Sequence, residues 1–305
     1  MKTVENPIVS DALQRLVTRL ENDSTLLDPH HLRRRLEALD QLEAHVTFAS
    51  PALSTDLIDP HLHRRATAIC AKLEAANDER YAAIRAEIRR GHGLGALLHW
   101  AQSLTETSPL ESQVDRTPPN GLAYDYLDDL LSGVLQLEEP AASTATPDQE
   151  MVFYQPTPAR HIFHLLRLTE LTDDDVLIDL GSGVGHVALL IAMCTQARCI
   201  GIDMEPAYIE CARRCADHLN LANVTFLQQD VREADLSAGS VFYLYTPFRG
   251  TILATVLDRL RREATFHPIR ICSYGPITPV IAQEPWLQAA STPQTDRVVL
   301  FRSRD

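Results

Sequence analysis

The chain has 305 residues, of which 45% are hydrophobic and 23% charged, with 41 acidic side chains against 28 basic ones and a net charge of −13. This is the composition of an ordinary soluble globular protein, long enough for one large domain or two medium ones. The acidic excess is concentrated in residues 1–150, with 24 acidic against 14 basic side chains. That balance argues against binding nucleic acid through its phosphates.

The first residues, MKTVENPIVSDALQRL, contain no apolar core of signal-peptide length. The longest apolar run, Val187 to Cys194, is too short to span a bilayer, so a cytoplasmic protein with no membrane partner is expected. From about Ser10 to Thr105 the pattern is helical. Leu32, Leu36, Leu39 and Leu42 form one apolar stripe, and residues 62–88 are rich in Ala, Glu and Arg. Breaks are expected at Asp28-Pro29, Ser50-Pro51, Asp59-Pro60 and the run Gly91-His-Gly-Leu-Gly95. The basic runs Arg33–Arg35 and His61–Arg65 read as solvated helix faces. Residues 106–121 read as a loop, Tyr124 to Leu137 as a short helix and residues 139–149 as a linker. The expected division is an all-α domain over 1–145 and a second domain over 146–305. The helical part would cover a cleft, recognise a substrate or partner, or join two copies into a homodimer.

Beyond the linker, short apolar strands alternate with amphipathic helices. Strands are expected at Val176–Asp179, Cys199–Ile202, Val224–Leu227, Val241–Tyr245, Ile269–Ser273 and Val298–Arg302, with helices over Ala207–Leu219 and Gly250–Glu263. That order predicts an α/β fold with a parallel sheet, helices on both faces, and a ligand at the carboxyl ends of the strands. The six cysteines form no CxxC pair. Cys211 and Cys215 are at helical spacing with no histidine pair nearby in sequence, so reduced thiols and no metal are expected.

The segment Asp179-Leu-Gly-Ser-Gly-Val-Gly185 falls where the first strand of this sheet meets a helix. Gly181, Gly183 and Gly185 permit backbone angles closed to other residues and let a ligand approach closely. A dinucleotide loop would need glycine where this chain has His186. Asp179 would also repel a pyrophosphate. An acid beside a glycine loop suits a cationic ligand, and S-adenosylmethionine, with its α-ammonium and sulfonium, fits that description. Asp179 would engage its methionine end directly or through water. Asp203, ending the second strand, would accept the ribose hydroxyls. Asp230 and Val231, ending the third, would meet the adenine amino group and ring.

The run from Thr172 to Ala188 resembles the class I (seven-strand) S-adenosylmethionine-dependent methyltransferases, and its DLGSGVG core is most similar to the non-SET histone-lysine methyltransferase family. The resemblance covers roughly residues 150–250. It implies a Rossmann-like, seven-stranded, mostly parallel sheet, with S-adenosylhomocysteine as the product of the cofactor. Tyr154-Gln-Pro-Thr157 falls where that family carries a Tyr-Gly-Glu-Thr segment over the methionine part. The implied cofactor contacts are Tyr154, Thr157, Asp179, Gly181, Ser182, Gly183, Gly185, His186, Asp203, Met204, Asp230, Val231, Tyr245 and Thr246. His186 stands where the family has glutamine, and it also reads as a first-turn residue facing solvent. The family's basic nucleosome-binding segment has no counterpart, so its histone substrate is not carried over.

Tyr245-Thr-Pro-Phe248 stands where many amino-methyltransferases hold an (Asn/Asp)-Pro-Pro-(Tyr/Phe) motif, and it lacks the amide. Tyr154 and Tyr245 are the candidate catalytic residues, positioning the acceptor, and Phe248 and Tyr274 the candidate substrate contacts. Phe248 reads equally well as packing. His161 and His164 read as structural. The expectation is a methyltransferase acting on an N or O nucleophile, with a small-molecule acceptor favoured over a protein. A non-catalytic S-adenosylmethionine sensor or scaffold is the second reading, and a nicotinamide oxidoreductase with a degenerate loop the third.

Overall fold

A computed structural model describes residues 7–47, 59–104, 124–137 and 155–304. The break at Ser50-Pro51, the loop over 106–121, the linker over 139–149 and the division at 145/146 lie outside the described residues. Five helices come first: α1 (Pro7–Asn22), α2 (Leu32–Thr47), α3 (Pro60–Arg89), α4 (Gly93–Leu104) and α5 (Tyr126–Leu135). Asp59 caps α3 by accepting from the His61 N–H, with Pro60 preset for the first turn. Gly91, at φ +82°, ends the same helix. Gly93 and Gly95, expected to be part of that break, lie inside α4 instead. The reason at Gly93 is space, because a Cβ there would sit 2.2 Å from the Met193 carbonyl oxygen.

The α/β region runs α6 (Ala159–Thr169), β1 (Val176–Leu180), α7 (His186–Cys194), β2 (Arg198–Asp203), α8 (Pro206–His218), β3 (Val224–Gln228), β4 (Val241–Tyr245), α9 (Gly250–Glu263), β5 (Arg270–Tyr274), α10 (Thr278–Ile281), β6 (Leu287–Ala289) and β7 (Val299–Ser303). The seven strands form one sheet in the order β3-β2-β1-β4-β5-β7-β6, and only β7 runs against its neighbours. This is the expected Rossmann-like architecture. β6, three residues long, was not anticipated. β1 is the central turning point of the strand order, and all five of its residues are buried.

Strand alternation sends side chains to opposite faces. Leu177, Cys199, Phe226, Tyr243 and Cys272 join one apolar cluster with α6, α7 and α8. Ile178, Ile202, Phe242 and Ile271 join another with α9. The first cluster also takes in Leu32, Leu36, Ile84, Ile88, Leu97, Trp100 and Leu131, so α2–α5 share a core with the sheet. α1 and the remaining faces of α2 and α3 enclose a smaller third cluster. Polar contacts bind the two regions together as well. Arg89 Nε donates to the His218 carbonyl at 2.6 Å, and Cys215 Sγ lies 3.2 Å from the Leu135 carbonyl. Among the described residues no helix is long and apolar enough to cross a membrane.

Candidate active site

Asp179 is the fourth residue of β1 and pairs with Gly201 on one side and Tyr243 on the other. It is only 3% exposed. No basic side chain pairs with it among the described residues. Burial, reinforced by the neighbouring Asp203 charge, pushes its pKa up to about 8. A buried carboxyl with no counter-charge is the chemistry of a site that receives a cation.

The glycine loop follows directly. Gly181 has φ +84°, and a Cβ there would lie 2.3 Å from Cβ of Pro247, so both its conformation and its neighbour require glycine. Gly181 and Ser182 donate backbone N–H bonds to the Ile202 carbonyl at 2.9 and 3.0 Å. Gly183 donates to Asp203 Oδ2 at 2.8 Å, and the Glu205 N–H donates to Oδ1 at 2.9 Å. The loop is thus fastened to the end of β2. Each Asp203 oxygen retains a further lone pair for a ribose hydroxyl. Burial raises the Asp203 pKa against these bonds. The Ser182 hydroxyl is buried with no hydrogen-bond partner among the described residues. Buried Asp179, the free capacity of Asp203 and this hydroxyl fit a ligand with an ammonium and a ribose, so the donor set suits S-adenosylmethionine.

His186 is the first residue of α7 and partly exposed, and desolvation of its ring pushes its pKa down to about 4. Met204, beside Asp203, is exposed, while Val231 is buried with its carbonyl accepting from Arg259 Nη1 at 2.9 Å. Asp230 is more occupied than expected: its carboxylate accepts from the Arg232 N–H at 2.8 Å and from the Arg232 guanidinium at 2.6 Å. That pairing holds its pKa low and leaves adenine only the lone pairs that Arg232 does not take.

Thr157 is buried, and its hydroxyl lies 2.9 Å from that of Tyr243. Thr157 therefore anchors its segment to the middle of β4. Tyr154 lies outside the described residues. At the carboxyl ends of β4 and β5 the rings of Tyr245 and Tyr274 lie 4.6 Å apart, and Tyr274 lies 4.4 Å from His161. Tyr245 is half-buried, with its hydroxyl pKa raised by burial. Thr246 has φ +42°, a strained value for a β-branched residue, and its hydroxyl donates to the Tyr274 carbonyl at 3.2 Å. This strained turn brings Pro247 over Gly181.

The two expected substrate contacts take packing positions instead. Phe248 is 5% exposed within the α9-side cluster, and Tyr274 is 1% exposed within the other. Two site residues escaped the sequence. Tyr243 reads as one more apolar strand position, and Pro247 as half of a motif. Only the strand register puts the first beside Asp179 and the loop geometry the second over Gly181.

A family model described as a methyltransferase domain matches residues 171–244. No curated protein matches the chain. Among solved structures, an RNA methyltransferase from Salinibacter ruber in complex with S-adenosyl-L-homocysteine is similar, at 28% identity over 49% of this chain and 92% of that one, with a TM-score of 0.38. A tRNA (uracil-54, C5)-methyltransferase from Pyrococcus abyssi, also in complex with S-adenosyl-L-homocysteine, is 22% identical over 49% of this chain and 39% of that one, with a TM-score of 0.38. A precorrin-6y C5,15-methyltransferase from Geobacter metallireducens GS-15 is 17% identical over 50% and 94%, with a TM-score of 0.41.

Proposed function

From a chain that carries an S-adenosylmethionine-dependent methyltransferase domain, we propose an enzyme that methylates an N or O nucleophile, on a small molecule in preference to a protein. The observation that supports it is Asp179, a buried carboxyl with no cationic partner among the described residues, at the end of the central strand and next to a glycine loop.

When bound, S-adenosylmethionine supplies an electrophilic methyl on sulfur. The chain's own residues do the positioning, which accounts for much of the acceleration of an in-line displacement. Asp179 accepts from the α-ammonium, Asp203 from the ribose, and Met204 and Val231 border the adenine. Thr157, held by Tyr243, would border the methionine part. Tyr245 orients the acceptor at the carboxyl end of β4. Among the described residues at this end, the pKa of Tyr245 is raised and that of His186 lowered, so neither is poised as a general base. An acceptor that loses its proton before transfer, such as an amine, suits such a site.

The test is transfer of label from radiolabelled S-adenosylmethionine into a cell extract, split into macromolecules and small solutes, with Asp179→Ala as control. Asp179-dependent label in the small-solute fraction is expected, and label confined to macromolecules would overturn the acceptor class. The missing amide at Tyr245-Thr246 favours the second reading, a protein that binds the cofactor without turning it over. Tight cofactor binding with no label in either fraction would support that reading instead.

A further inference from the structure

Arg160 is the second residue of α6, three positions after Thr157. Its Nη1 lies 3.4 Å from Asp125 Oδ2. Its Nε and Nη2 are buried, and neither has a hydrogen-bond partner among the described residues. These two nitrogens share one edge of the guanidinium, the edge whose parallel N–H bonds match a planar oxyanion in bidentate fashion. Leaving such donors dry is costly for a fold, and the cost is relieved when an anion arrives.

The next residue, His161, packs its ring 4.4 Å from that of Tyr274 at the carboxyl end of β5. The Arg160 charge acts on the hydroxyl of Tyr274, as do Tyr124, Asp296 and Asp128, and the Tyr274 ring packs on that of Tyr245. Two acids at the start of α5, Asp125 and Asp128, are engaged with backbone. Asp128 accepts from the Asp125 and Ala159 N–H groups, both at 2.7 Å, and Asp125 from the Leu127 N–H at 2.9 Å. They fix the α5–α6 junction and leave the Nε/Nη2 edge unpaired.

We propose that this edge of Arg160 binds a ligand carboxylate at the carboxyl ends of β4 and β5. The proposal rests on the methyltransferase reading, which supplies two sources of that group: the α-carboxylate of the methyl donor, or a carboxylate on the acceptor.

Calorimetry on the full chain separates them, comparing wild type with Arg160→Gln. The probes are S-adenosylhomocysteine, 5′-methylthioadenosine (which lacks the amino-acid end), and benzoate titrated into protein saturated with S-adenosylhomocysteine. If the donor is the source, Arg160→Gln weakens S-adenosylhomocysteine by about 10- to 100-fold, the scale of hydrogen bonds to a charged group, and leaves 5′-methylthioadenosine unchanged. If the acceptor is the source, both nucleosides bind as before and benzoate binding, present in wild type, is lost. Equal weakening of the two nucleosides, or no change with any probe, overturns the proposal. The ligand-free melting temperature of Arg160→Gln should match or exceed that of wild type, since a dry buried charge is removed. A clear fall in it would mark Arg160 as structural and count against the proposal. A folded wild type that binds no S-adenosylhomocysteine would bring down the methyltransferase reading and the proposal with it, an outcome distinct from failure at Arg160 alone.

Discussion

Asp179 sits where an ionised carboxylate is disfavoured, and its titration follows. An aspartate in an unfolded chain titrates near 4, while this one is pushed up to about 8 in the ligand-free fold. Its contribution to stability is therefore full below about pH 4 and is lost as the pH rises through 8. Asp179→Asn, which removes the charge at nearly constant shape, should make the ligand-free protein more stable than wild type by roughly 1–3 kcal/mol at pH 8, with the gap closing toward pH 4. Thermal melts across that range check it, and a gap that does not grow with pH would refute it. A cationic ligand reverses the preference. Binding of S-adenosylhomocysteine by wild type should tighten between pH 6 and 8 and release a proton below pH 8, seen as calorimetric heats that change with buffer. In Asp179→Asn both effects should vanish and affinity should fall.

Among the elements, the glycine loop and β4 are held by contacts that substitutions can address. Gly181→Ala would place a methyl group against Pro247 at a φ of +84°. It should cost about 1–3 kcal/mol and weaken S-adenosylhomocysteine binding at least tenfold. Thr157→Val and Tyr243→Phe should each cost about 1 kcal/mol, and the double variant less than the sum, because they break one shared hydrogen bond. Strict additivity in denaturant unfolding would mean the bond is not formed. This is also the scale at which the sequence was most and least informative. The run of Val176 to Leu180 into three glycines announced the central strand, its turn and an acid at the strand's end, because those features are local. β6 has three residues and no period to read. Gly93 looked like a helix breaker because the backbone of α7 that it must admit is far away in sequence. Tyr243 and Arg160 fit ordinary strand and helix patterns. Their roles depend on register and on which donors the fold leaves dry, and neither is written in spacing.

Across the whole molecule, the cluster that joins α2–α5 to the sheet makes the helical part a wall of the α/β region. Residues 146–305 alone would expose the part of α7 around Met193 that α4 packs against. Such a fragment should bind a hydrophobic dye and melt without a sharp transition, whereas the full chain should unfold in one cooperative step. A sharp melt from the fragment would show that the sheet does not need the helices.

The approach of α4 to the Met193 carbonyl at Gly93 has a thermodynamic side. α7 begins at the glycine loop and ends against α4, so one helix has the proposed cofactor site at its front and the helical region at its back. A partner on α2–α4 whose docking shifted α7 and thereby changed cofactor affinity would have its own affinity changed by the cofactor by the same free energy. The two regions share one equilibrium.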